Sequence, residues 1–285
     1  TAGHKIVRTL GLTAADESCY ETFAPLFRAV MSRWQEIVSE DVELSRPAEE
    51  EAKMHPDPQG QVILSVQVLC SRNLRGVRMV PSAGREDRRE AERLLVEALM
   101  SSEDELLRGG DYYPLRGSNS YAPKPKGMSM EMEQQLRAAG QLLEEPQNGL
   151  HLSAGLGRHW PQARGVYTNG SGMVVWINQA DHLRLAYQHE NAEVFKALEA
   201  TLRVEQALSR ALEAKGFSFS SSDGVGSITL CPSNSGSGVQ ASARLLLPRL
   251  AKNEVRLKDL CQHLGLYPAR RRELSESGER KPVWE

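Results

Sequence analysis

Long apolar runs, paired cysteines and an excess of basic charge are all missing from this 285-residue chain. Its apolar stretches, such as Gly172 to Ile177 and Leu245 to Leu247, fall far short of the roughly 18 to 20 residues that a membrane-crossing helix needs, so a soluble chain with no membrane partner is expected. Cys19, Cys70, Cys231 and Cys261 show no C-x-x-C spacing, which points to neither a zinc site nor a disulfide framework and fits a reducing compartment. The seven histidines are scattered, and His182 and His189, seven apart, bring no further metal ligands with them. Lysine and arginine number 35 against 37 acidic residues, a formal charge of −2, so no global field favours nucleic acid. The sequence opens Thr-Ala-Gly-His without Met or an apolar leader, and Thr1 is not expected to be the native start.

What is present is a mixture of two periodicities. Tyr20, Phe23, Phe27, Met31, Trp34 and Val38 recur at helical spacing, and Thr13 with Asp16 resembles a capping box, predicting a helix over 13–38. Residues 41–60 read as an acidic, proline-containing linker, whereas Val62, Leu64, Val66 and Val68 alternate and predict a strand over 61–69. A helix is expected over 85–100, with Arg85, Arg88 and Arg89 facing solvent, then a Gly/Pro/Ser-rich loop over 108–127 and a helix over 128–143. Asn169-Gly170 between 165–167 and 173–178 signals a hairpin, because Asn-Gly accepts the positive φ of a tight turn. A helix over 192–215, strands over 217–220, 226–230 and 243–247, and a helix over 254–263 complete an α+β pattern: an antiparallel sheet flanked by helices, without internal repeats. The stretch CPSNSGSG, 231–238, is compatible with a phosphate cradle, a nucleophile on Cys231 or a simple turn.

Five phrases in register, GLTAADESCYETFAPLF (11–27), DYYPL (111–115), WPQARGVYTNG (160–170), VWINQADHLR (175–184) and LCPSNSGSG (230–238), resemble the phosphagen kinases, most like the creatine and arginine kinases. The resemblance implies a catalytic domain over 12–268, a remnant of a helical amino-terminal domain over 1–11 and a divergent tail over 269–285. It also implies transfer of a phosphoryl group between MgATP and a guanidino compound, a reaction served by positioning and cationic stabilisation.

The family's residues are largely replaced here. Its two phosphate-contacting strand arginines fall on Gln67 and Leu69, with Arg72 at a third arginine place; a later phosphate arginine falls on Gln240 and a nucleotide histidine on Arg244. Its two glutamates fall on Gln179 and Ala180, the second being the carboxylate that orients the guanidinium. Asp181 lies one residue away, an offset that on a strand turns it to the other face. Arg184 is retained, as is Cys231 beside the guanidino pocket, and Gly3-His4 resembles the end of the substrate-specificity loop. At the family's carboxy-terminal arginine stands Ala269, or Arg270 with a one-residue shift. Losing one transition-state arginine costs roughly 10³- to 10⁵-fold in rate and losing a catalytic carboxylate roughly 10²- to 10⁴-fold. The expectation is therefore an inactive kinase-like chain with no required cofactor, serving as a structural or protein-binding component of a cytoplasmic or cytoskeletal assembly. Two alternatives stand beside it: a divergent guanidino kinase, and a nucleotide sensor that holds MgATP or MgADP without turnover.

Overall fold

The computed structural model describes residues 11–39, 57, 61–189, 193–269 and 283–284. Helices α1 (Cys19–Thr22) and α2 (Ala24–Ser39) precede strand β1 (Ile63–Arg72) and helix α3 (Arg85–Met100). Strand β2 (Asp111–Pro114), helices α4 (Met130–Ala138) and α5 (Gly149–Ser153), and strands β3 (Gly165–Thr168), β4 (Met173–Ile177) and β5 (Leu183–His189) follow. Then come helix α6 (Val194–Glu213), the short strands β6 (Ser221–Ser222) and β7 (Gly226–Ser227), strand β8 (Val239–Leu246), helix α7 (Glu254–His263) and strand β9 (Val283–Trp284). The sheet runs β2-β3-β4-β5-β1-β8-β9 with antiparallel neighbours throughout.

Alternation divides the sheet into two chemically different faces. Val66, Val68 and Cys70 of β1, with Leu183 and Leu185 of β5 and Val175 and Ile177 of β4, turn towards the two long helices and are buried. Helix α3 meets them with Ala91, Leu94, Leu95, Ala98 and Leu99, and α6 with Ala197, Val204, Leu208 and Leu212. Each large side chain removed from water there contributes roughly 1.5 to 3 kcal/mol before chain entropy is charged against it. On the opposite face, α4 and its flanking loops cover only the β2–β4 end, where Met128 and Leu136 pack on Val166 and Val174.

Several expectations are corrected. The first helix begins at Cys19 rather than 13, because Ala14 is drawn to the Leu230 carbonyl and the Asp16 carboxylate accepts from Ser18 Oγ and the Cys19 amide, closing a turn first. The helix expected over 128–143 contracts to α4. Strand β1 extends through Arg72, and β8 starts at Val239. The strands expected over 217–220 and 226–230 shrink to the β6–β7 ladder and two isolated bridges, Leu74–Phe219 and Ser227–Gly236; Gly226, at φ +78°, lies so near Gly236 that a Cβ would meet its carbonyl oxygen at 2.5 Å. Arg88 does not face solvent: it is 1% exposed. Val283–Trp284, inside the expected tail, pairs with Leu245–Leu246. The 1–11 remnant, the linker and the Arg270 alternative fall almost entirely outside the described residues.

Candidate nucleotide and guanidino face

Residues directly opposite one another in antiparallel strands share a face, so the register identifies what the uncovered end of the sheet presents. Leu69 of β1 lies between Ala186 of β5 and Gln240 of β8; Gln67 lies between Gln188 and Ser242; Ser65 faces Arg244. The fold thus brings Gln67, Leu69, Gln240, Arg244 and Arg184 to one face. Leu69 and Gln240, both at phosphate-arginine places, are direct neighbours there without a charge between them. The Gln240 amide donates to Asn234 Oδ1 at 2.7 Å, committing it to the neighbouring turn.

Arg72 does not join this face. Its odd offset turns it to the helix layer, where Nε donates to Glu205 of α6 at 2.8 Å and Nη1 to the carbonyls of Ser71 and Ser237. With 9% of its side chain exposed, this ion pair tethers strand to helix. Arg184 is the guanidinium that points to the face from β5. Burial lowers its pKa while the nearby Asp181 charge opposes that shift. Its Nη1 donates to Gln179 Oε1 at 3.2 Å, and its Nε has no hydrogen-bond partner.

Residues 178–182 form the tight turn between β4 and β5, which overturns the strand argument about Asp181. Asn178 takes φ +54°, a conformation Asn tolerates better than most residues, and its amide donates to the His182 carbonyl at 2.9 Å. Asp181 is nevertheless unavailable to a guanidinium. It is 2% exposed, its Oδ1 accepts from Asn73 Nδ2 and from the Leu230 amide, both at 2.7 Å, and burial raises its pKa. Ala180, at the place of the orienting carboxylate, packs half-buried on Val80, Leu156 and Leu230, an apolar patch. Asn73 positions both Asp181 and the His182 amide, although a lone Asn at a strand end carries no periodic signal.

The 231–238 stretch is a turn held by backbone geometry. Pro232–Asn234 make a 3-10 turn, and Gly236 and Gly238 take φ +98° and +64°. A Cβ on Gly238 would meet Arg72 Nη1 at 2.4 Å and the Ser71 carbonyl at 2.9 Å, so the glycine permits the strand to close on Arg72. Cys231 Sγ lies 2.9 Å from Ser233 Oγ. His4 falls outside the described residues.

Comparisons with known proteins agree with this fold. The profile of the ATP:guanido phosphotransferase C-terminal catalytic domain matches residues 92–273. Flagellar creatine kinase of Strongylocentrotus purpuratus is 31% identical over 266 residues, 93% of this chain and 22% of that protein. M-type creatine kinase of Gallus gallus is 33% identical over 88% of this chain and 63% of its own length, so the chain spans less than two thirds of either relative. Among solved structures, a lombricine kinase superposes with a TM-score of 0.77 at 29% identity, covering 97% of this chain and 72% of that one. The substrate-free duplicated taurocyamine kinase of Schistosoma mansoni superposes with 0.79 at 26% identity, over 97% and 37%. With the matched profile covering more than half of it, the chain belongs to the ATP:guanido phosphotransferase family.

Proposed function

We propose that this chain is a pseudoenzyme of that family, retaining the catalytic-domain fold as a structural or protein-binding component without phosphoryl transfer. The observation that carries the reading is the direct pairing of Leu69 with Gln240 on the face where the resemblance places phosphate-binding arginines. A transferring phosphoryl group spreads negative charge over its oxygens and needs fixed cations around it. Here two uncharged side chains stand at the centre, Gln67 beside them is uncharged, and Arg72 is committed to Glu205. A guanidinium would likewise meet the Val80–Leu156–Leu230 patch at Ala180 rather than a carboxylate. The residues present therefore fit MgATP poorly, and none is assigned a catalytic step. Protein partners in a cytoplasmic or cytoskeletal assembly belong to the same proposal.

One observation favours a second reading, nucleotide binding without turnover: the buried Arg184 Nε has no partner and lies on the relevant face, where one phosphate oxygen would satisfy it. Thermal unfolding with and without millimolar MgADP separates the two. The pseudoenzyme reading expects no shift. A ligand at about 100 times its dissociation constant adds about 2.7 kcal/mol, or several degrees at roughly 2 to 4 °C per kcal/mol. Such a shift would support the sensor, and phosphorylation of creatine, arginine or a related guanidino compound by the unaltered chain would overturn inactivity altogether.

A further inference from the structure

A cleft of about 260 Å³ opens beside the start of α3, lined by Arg85, Arg88, Arg89, Asn119, His159 and Gln162 together with Ala163. Protonation of His159 is disfavoured first by burial, then by the charges of Arg88 and Arg85, and last by those of Arg158 and the fully buried Arg164. Among the described residues none of these five arginines forms an ion pair. Neighbouring carboxylates are engaged elsewhere: Asp87 accepts from the Gly84 amide at 2.7 Å, and Glu90 is paired with Arg93. Asp87, Glu92 and Glu145 offset part of the charge on Arg88, Arg89 and Arg164 from beyond ion-pair distance.

The buried members are held in place. Arg88 is 1% exposed; its Nη2 donates to the Val80 carbonyl at 2.8 Å and its Nη1 contacts the Gly84 carbonyl and His159 Nδ1, while its Nε has no partner. A guanidinium can only donate, so His159 Nδ1 accepts from Arg88 at 3.0 Å and the imidazole proton sits on Nε2. The cleft thus combines two exposed guanidiniums, an imidazole whose tautomer is fixed, two side-chain amides and a buried cation with an orphaned N–H. Such a donor set matches a compact oxyanion, and planar guanidiniums suit phosphate oxygens in particular.

We propose that this cleft binds the phosphate group of a small phosphomonoester, at a site separate from the nucleotide face. The proposal does not depend on whether the chain is a pseudoenzyme. Calorimetric titrations with inorganic phosphate and with glycerol phosphate, run without nucleotide or magnesium, test it, with the His159 ring protons followed by NMR and assigned through His159→Gln. Arg85 and Arg89 are exposed and unpaired, so the double variant Arg85→Gln/Arg89→Gln is expected to fold; Arg210→Gln on α6 controls for loss of charge alone, and Arg184→Gln for the nucleotide face. Saturable binding that moves the His159 resonances is expected. Affinity should fall about tenfold or more in the double variant, since charge-assisted hydrogen bonds are the strong ones, and hold in both controls. Tighter binding of glycerol phosphate than of inorganic phosphate supports the ester as ligand; the reverse order overturns the ester. No saturable binding, or equal losses in the double variant and in Arg210→Gln, would overturn the site. Self-association abolished by the double variant with no phosphate binding would also overturn it, giving the cleft to acidic side chains of a second copy.

Discussion

His182 shows how far a single side chain can be specified by its neighbours. The ring is fully buried, Nδ1 accepts from the Leu74 amide at 3.0 Å and Nε2 donates to the Arg78 carbonyl at 2.9 Å. A proton on Nδ1 would set two donors against each other, and burial lowers the pKa from 6.5 to about 4. The nearby charges of Asp87 and Arg88 act in opposite directions and leave burial dominant. Because the folded pKa is depressed, this contribution is present above the unfolded value and lost as pH falls from about 6.5 through about 4. Between pH 7 and pH 5 the native protein is expected to lose about 2 kcal/mol through this group. His182→Gln should be less stable at pH 7 but lack that portion of the slope, as denaturant midpoints at the two pH values will report. Arg164 follows the same logic, as another group that is cationic when protonated: its guanidinium is caged by the carbonyls of Leu156, Arg158, Gln162 and Asn178, and burial, reinforced by Arg88, lowers its pKa to about 9.

At the scale of elements, β1 and β8 carry the functional question. Substituting Gln67→Arg, Leu69→Arg and Gln240→Arg places like charges side by side and diagonally across the two strands, each pair costing roughly 0.2 to 1 kcal/mol. The triple variant combined with Ala180→Glu is therefore expected to melt earlier than the native chain alone and to gain a thermal shift with MgADP. If the melting point falls and MgADP restores nothing, the backbone of the face has drifted from its relatives as well. The sequence made this test possible because the periodicities that place β1, α3 and the Asn169-Gly170 hairpin are strong and local. Strand β5 has little local signature: Leu-Arg-Leu-Ala-Tyr-Gln-His continues directly from the motif that ends at Arg184, and its hydrogen bonds to β1 are made more than a hundred residues away in sequence. The turn at Asn178 was hidden for a related reason. Its cause is a positive φ, closure onto His182, and side-chain donation to Arg88 and Ala163, none of which alternation can report. Arg72 was expected beside the nucleotide because family spacing placed it there; counting residues from Leu69 already assigns it to the other face.

For the molecule as a whole, the two sides of the sheet are under different constraints. The helix side is a continuous core closed by α3 and α6, whereas Gln67, Leu69 and Gln240 are half-buried or exposed. Val68→Ala is expected to cost about 2 kcal/mol through lost contacts and a cavity, and Leu69→Gln less than about 1 kcal/mol. Denaturant midpoints with unchanged slopes check both. A fold so divided can exchange the chemistry of one face while its stability is maintained by the other.

The unpaired guanidiniums around His159 carry a further consequence, in time rather than in affinity. A chain of net charge −2 presents a local field of the opposite sign at that cleft, so small anions are steered towards it before any contact is made. With a Debye length of about 10 Å at 0.1 M salt, that steering weakens steeply as ionic strength rises, while the short contacts inside the cleft persist. Ionic strength therefore sets how often an anion arrives there more than how long it stays.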